Sequence, residues 1–206
     1  MKFLSTISLL LCSLLGYSQD VQLLSNFNNE SFRFTNIHEK EISNKWDYFS
    51  ISEVEAAYND TNKLSFESNH FINYKIKNGL SLTTGIGLQN TNVLPQIGVS
   101  YSKEKKNWNY AFYPTFNYGI ADNQFGTSLN TLIEFTPAIN AKWNLYNLLL
   151  LDFDYDFGDA IQSQQYLNIG FQFNKKLNFG VNIDLGQSNN YKESDVELGL
   201  FLGFNF

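Results

Sequence analysis

Asp152, Asp154 and Asp156 stand two residues apart, and Glu53 and Glu55 repeat that spacing earlier in the chain. A spacing of two sends side chains to one face of an extended strand, so each set gathers its carboxylates together. Gathered carboxylates repel unless water, a nearby base or a bound cation compensates them, and Ca²⁺ is the ion that oxygen-only donors suit. The run Asp-Phe-Asp-Tyr-Asp-Phe-Gly-Asp beginning at Asp152 has the acid spacing of an EF-hand loop. It lacks that loop's glycine position and terminal glutamate, and it falls on a predicted strand, so solvated acids are the simpler reading. Ser68 and His70 are likewise two apart, which puts a hydroxyl beside an imidazole, the pairing of a nucleophile with its general base. A β-bulge, or contact with another protein, explains the same two residues without catalysis. The other histidine, His38, lies far from them in sequence.

The elements that carry these residues read as strands. Val196, Leu198, Leu200, Leu202, Phe204 and Phe206 alternate with Glu197, Gly199, Phe201, Gly203 and Asn205 up to the carboxyl terminus. Leu177 to Leu185 and Leu167 to Phe173 alternate as cleanly against Asn, Gly, Gln and Asp, and Leu80 to Leu88 does so against Ser, Thr and Gly. From Trp46 onward this gives ten strands, at about 46–59, 64–76, 79–89, 92–104, 107–120, 127–141, 143–157, 162–174, 176–187 and 195–206. Each is near the length that crosses a bilayer at a tilt. Residues 19–45 are less regular. Val21 to Phe27 and Ser31 to Ile37 form either a segment ahead of the ten strands, on the periplasmic side or within the lumen, or a hairpin turning at Asn28-Asn29 that raises the count to twelve. The first is the preferred reading, because both stretches are short for membrane strands.

Residues 1–18 have the pattern of a signal peptide: a basic start at Lys2, an apolar stretch from Phe3 to Leu15, and Gly16-Tyr17-Ser18 before the expected cleavage. Cys12 lies inside this leader, so the mature chain is expected to have no thiol. The 206 residues contain 20 acids against 14 bases, for a net charge of −6, which argues against a nucleic-acid partner. Aromatic residues make up 17% although mean hydropathy is slightly negative at −0.26. That pairing suits a barrel apolar outside and polar inside, and the expected domains are a leader, a segment at 19–45 and a barrel at 46–206.

The joints orient the strands. Those after even-numbered strands of the ten are short and basic, with Lys75 and Lys77, then Lys103, Lys105 and Lys106, then Lys142, then Lys175 and Lys176. The others are on the whole longer and rich in Asn, Gln, Ser and Asp. Short turns belong on the periplasmic side of such barrels, which puts both termini there. Trp46, Trp108 and Trp143 all begin odd strands and so form one interfacial girdle, with Tyr58, Phe66, Tyr118 and Tyr155 available for the outer one.

Alternation, girdles and the terminal Phe206 together resemble the small outer-membrane β-barrel proteins of Gram-negative bacteria, and the small-residue-then-Gln junction is similar to leaders of Bacteroidota. A soluble β-sandwich or lipocalin-like barrel is the architectural alternative. The resemblance implies an antiparallel up-and-down barrel in the outer membrane, with Phe206 as assembly signal. Its implied partners are outer-membrane lipid and lipopolysaccharide, the barrel-assembly machinery and an envelope protein.

With the apolar set facing lipid, the lumen receives Glu53, Glu55, Glu67, Glu134, Asp152, Asp154, Asp156, Asp184 and Glu197, all but Glu134 in the extracellular half. Phe71, Tyr113, Leu132, Tyr146, Leu148, Leu150 and Phe201 share that face and fill much of it. The expectation is therefore a non-enzymatic barrel with an acidic mouth, serving a structural, surface-binding or complex-forming role. A narrow cation-preferring channel is the alternative, and a lipid hydrolase using Ser68 and His70 is a more distant one. Arg33, the sole arginine, is expected either in solvent or compensating an acid, with Glu134 the favoured partner.

Overall fold

A computed structural model describes residues 20–59, 64–157, 161–188 and 190–206, so the leader lies outside the described residues. Twelve strands form one closed antiparallel barrel. They are β1 (Asp20–Asn28), β2 (Ser31–Ser43), β3 (Trp46–Ala57), β4 (Leu64–Lys77), β5 (Leu80–Gln89) and β6 (Asn92–Lys105), followed by β7 (Trp108–Gly119), β8 (Gln124–Phe135), β9 (Trp143–Asp156), β10 (Ile161–Phe173), β11 (Leu177–Ser188) and β12 (Glu193–Asn205). Each pairs with its sequence neighbours, and β1 closes the cylinder on β12 from Gln22↔Asn205 to Asn28↔Gly199. Closure removes the unpaired edges that an open sheet would present.

The count is the larger of the two that the sequence allowed. Residues 20–43 enter the wall as β1 and β2 instead of forming a segment ahead of it. They look irregular because their outward face is only partly apolar: Phe32 and Phe34 on β2 are followed by Asn36 and His38. The second correction concerns the joint before Trp143. β8 stops at Phe135, and residues 136–142 form a longer connection pinned by an isolated Ala138↔Asn144 bridge.

Burial follows the strand period. Ile97, Phe116, Leu198 and Leu200 are more than half exposed on the outer wall, whereas Phe71, Ala111, Tyr146 and Leu148 are completely buried inside. The tight turns rely on residues that tolerate the left-handed region. Asn78 has φ 55° and Gly79 has φ 89° between β4 and β5, and a Cβ at Gly79 would lie 2.3 Å from the Ser102 carbonyl oxygen. Each tryptophan begins its strand and packs on a ring of the adjoining wall: Trp46 on Tyr74, Trp108 on Phe135, Trp143 on Phe173.

Candidate functional site: a lumen closed at its waist

The lumen is stratified. At mid-height the Tyr113 ring stacks on both Phe49 and Phe71, with centroids 4.7 and 4.8 Å away and planes about 12° from parallel. Tyr146 packs against Phe201 at 5.5 Å, and Leu24, Leu132, Leu148 and Leu150 complete the same buried cluster. Offset aromatic stacking and apolar burial favour this layer strongly. Gly85 makes room for it. A Cβ at that position would sit 2.7 Å from Phe71 Cδ1 and 2.4 Å from the His70 carbonyl oxygen.

Polar side chains fill the levels on either side. Toward the end that carries the β3–β4 joint Asn69 donates to Asn130 at 3.0 Å, Gln96 donates to Asn69 at 2.9 Å, and Asn117 donates to Ser128 at 2.7 Å. Toward the opposite end Asn73 joins Asp47 and Thr83, at 2.5 and 2.7 Å. Two cavities open below the waist, about 220 Å³ beside Gln22, Glu134 and Asn205 and about 340 Å³ beside Glu41, Asp47 and Lys75. Two smaller ones open above it.

Those upper cavities divide the acids. About 90 Å³ is lined by Arg33, Glu55, Tyr166, Asp184 and Glu197, and about 80 Å³ by Glu67, Asn69, Asp154 and Asp156. Glu53 is 9% exposed and accepts a hydrogen bond from Thr35 at 3.0 Å, and Asp154 accepts one from Ser128 at 2.5 Å. Asp152 lies lower, beside Phe49 and Leu150 at the top of the waist. Asp152, Asp154 and Asp156 thus share a face yet occupy different levels. Among the described residues, the carboxylates that converge closely enough to share one ion are Glu30, Asp195 and Glu197, with oxygens within 4.8 Å of one another. They lie at the rim, mostly exposed.

Arg33 pairs with two acids of the first group, Glu55 and Asp184. It stands opposite Glu55 across β2 and β3, with Nη2 2.7 Å from Glu55 Oε2 and Nη1 2.5 Å from Asp184 Oδ2. The guanidinium lies 3.8 Å from the centroid of the Tyr166 ring, a cation–π contact, and Asn28 also donates to Asp184 Oδ2 at 2.6 Å. The expected pairing with Glu134 is therefore corrected. Glu134 lies at the other end of the lumen, where Gln22 donates to it at 3.4 Å and to the Tyr146 hydroxyl at 2.7 Å. The error has a simple source: Arg33 is fixed in the wall by strand register, and register cannot be read for a segment not taken as a strand. Phe49 was missed as a waist residue, although it shares parity with Glu53 and Glu55 and could have been found from it.

Ser68 and His70 face outward as their parity requires, on the other face of the wall that carries Glu53 and Glu67. Ser68 Oγ is 2.8 Å from His70 Nε2, and the Tyr48 hydroxyl is 2.7 Å from His70 Nδ1.

No family model and no curated protein matches the sequence. Solved structures do match in fold. The chain is similar to the NanC porin, with a TM-score of 0.52 and 11% identity over 91% of this chain and 98% of that one. The KdgM porin gives a TM-score of 0.49 at 11% identity over 91% and 99%. The COG4313 outer membrane channel from Pseudomonas putida F1 gives 0.46 at 10% identity over 93% and 97%. The fold is that of an outer-membrane porin-like barrel.

Proposed function

We propose that this chain is an outer-membrane, porin-like barrel that forms a narrow, cation-preferring conduit held closed at its waist. The observation that carries this reading is the lumen itself, with carboxylates facing inward above a single apolar layer and cavities on both sides of that layer. Inward carboxylates favour cations, and an apolar constriction gates by excluding water. Residues 1–18 would be removed on export, leaving the barrel from Asp20 onward. Outer-membrane lipid and lipopolysaccharide would then meet the apolar wall, with Trp46, Trp108 and Trp143 at the periplasmic interface. The barrel-assembly machinery would receive β12 and Phe206.

A second reading, a permanently closed barrel with a structural or surface-binding role in an envelope complex, is favoured by the continuity of the waist packing. Planar-bilayer recording separates the two. Wild-type protein should conduct rarely, and the pair Phe71→Ala with Tyr113→Ala should give steady current that prefers cations. A folded waist variant that passes no current overturns the conduit and leaves the closed barrel. Anion preference overturns the charge argument.

A further inference from the structure

Polar side chains cluster on the outer wall where an apolar belt would be expected. Asn36 and His38 on β2, Tyr48, Ser50 and Ser52 on β3, and Ser68 and His70 on β4 share the outward face and adjoin one another in register: Asn36↔Ser52↔Ser68 and His38↔Ser50↔His70. Exposed apolar residues flank them, Ile72 at 44% and Ile86 at 50%. A hydroxyl or imidazole facing hydrocarbon without a purpose is costly. Two atoms in this patch, Asn36 Oδ1 and His38 Nε2, are buried with no hydrogen-bond partner.

The bonded groups form one chain. Ser52 Oγ lies 2.5 Å from Ser68 Oγ, Ser68 Oγ lies 2.8 Å from His70 Nε2, and His70 Nδ1 lies 2.7 Å from the Tyr48 hydroxyl. With Nδ1–H donated to Tyr48, Nε2 is left as the acceptor for the Ser68 proton, the tautomer a general base needs. Ser68 is 1% exposed and cannot itself reach a substrate, whereas Ser52 at the head of the chain is partly exposed. The bonded chain crosses the β3–β4 seam, with Ser50↔His70 one residue and Ser52↔Ser68 three residues from the Phe49↔Phe71 pair, and the ladder continues to Ala56↔Leu64. Its outward face meets membrane lipid in the barrel proposed above.

We propose that this patch is an acyl-transfer site for ester-linked membrane lipids, with Ser52 as nucleophile, Ser68 as proton relay and His70 as base. Ser52 Oγ bonds to the ester carbonyl carbon while its proton passes to Ser68 and the Ser68 proton passes to His70 Nε2. The bond from the carbonyl carbon to the alkoxy oxygen then breaks, and the departing alkoxide takes the proton back from His70 through Ser68. Water attacks the resulting acyl-Ser52 ester by the same relay, which releases a fatty acid and restores the Ser52 hydroxyl. Asn36, directly opposite Ser52, places its carboxamide beside the developing oxyanion, and Tyr48 is a positioning residue that fixes the imidazole.

The test uses the full-length protein in mixed micelles with a diester phospholipid or its diether analogue, and a long-chain alkyl fluorophosphonate as covalent probe. Fatty acid should appear from the diester alone, and mass spectrometry should map the adduct to Ser52. Ser52→Ala and His70→Ala should each lower release at least about 100-fold while the heat-modifiable folded band persists. Tyr48→Phe should lower kcat with KM unchanged. Wild-type protein that is folded yet releases no fatty acid and takes no adduct overturns the proposal. So does release or labelling that survives Ser52→Ala.

Discussion

Replacing Arg33 by Met keeps most of the side-chain length and removes the charge that holds Asp184 and Glu55. The side chains of Arg33 and Asp184 are only 5% and 6% exposed, so their 2.5 Å contact is a desolvated ion pair. Breaking such a pair by removing one partner costs about 3–5 kcal/mol, because the remaining charge is stranded. Glu55, at 28% exposure, recovers water and adds less. Loss of the contact with Tyr166 adds roughly 0.5–2 kcal/mol, while Asn28 continues to donate to Asp184 and offsets part of the total. The net expectation is ~4 kcal/mol, on the order of a thousandfold in the folded-to-unfolded ratio. Urea unfolding in detergent, followed by tryptophan fluorescence, measures it. Adding Asp184→Asn to Arg33→Met should recover most of the loss, since the stranded charge is then gone. A loss below ~1 kcal/mol for Arg33→Met, or no recovery in the double variant, would show that these charges are effectively in water and refute the reasoning.

Deleting Phe206 should lower the heat-modifiable fraction in outer membranes, because its amide donates to the Val21 carbonyl at 2.9 Å across the closing seam; an unchanged folded yield counts against that role. Gly85→Val should destabilise the barrel by about 1–3 kcal/mol through overpacking against Phe71. Adding Phe71→Ala should restore only part of this, since the clash with the His70 carbonyl oxygen remains, and equilibrium unfolding of the two variants checks both statements.

The strands from Trp46 onward were legible because period-two alternation survives wherever a wall separates lipid from lumen. Parity alone also placed Phe71, Tyr113, Leu132, Tyr146, Leu148, Leu150 and Phe201 inside, where all are buried. The first hairpin was harder for a physical reason. Its outward face carries Asn36 and His38, which stand opposite Ser52 and Ser50 on β3, and that adjacency belongs to tertiary register. The same limit hid the partners of Arg33. Asp184 is far away in sequence and reaches Arg33 only because the barrel closes, so no local pattern records the pair. The hydrogen-bonded order of Ser52, Ser68, His70 and Tyr48 was equally out of reach, because spacing within β4 says nothing about what stands opposite on β3.

The seam between β1 and β12 has a consequence for how the molecule is made. Eleven of its twelve ladders join neighbours in the chain, so each can zip as soon as the next strand arrives. The remaining one joins residues as distant as Gln22 and Asn205, 183 positions apart, and cannot form until both outermost strands are in place. Until it forms, the sheet has two bare margins, each a template for any other extended segment. Losing the final strand therefore does not produce a smaller barrel. It produces a curved sheet with permanently open margins, so tolerance to truncation should be all or none.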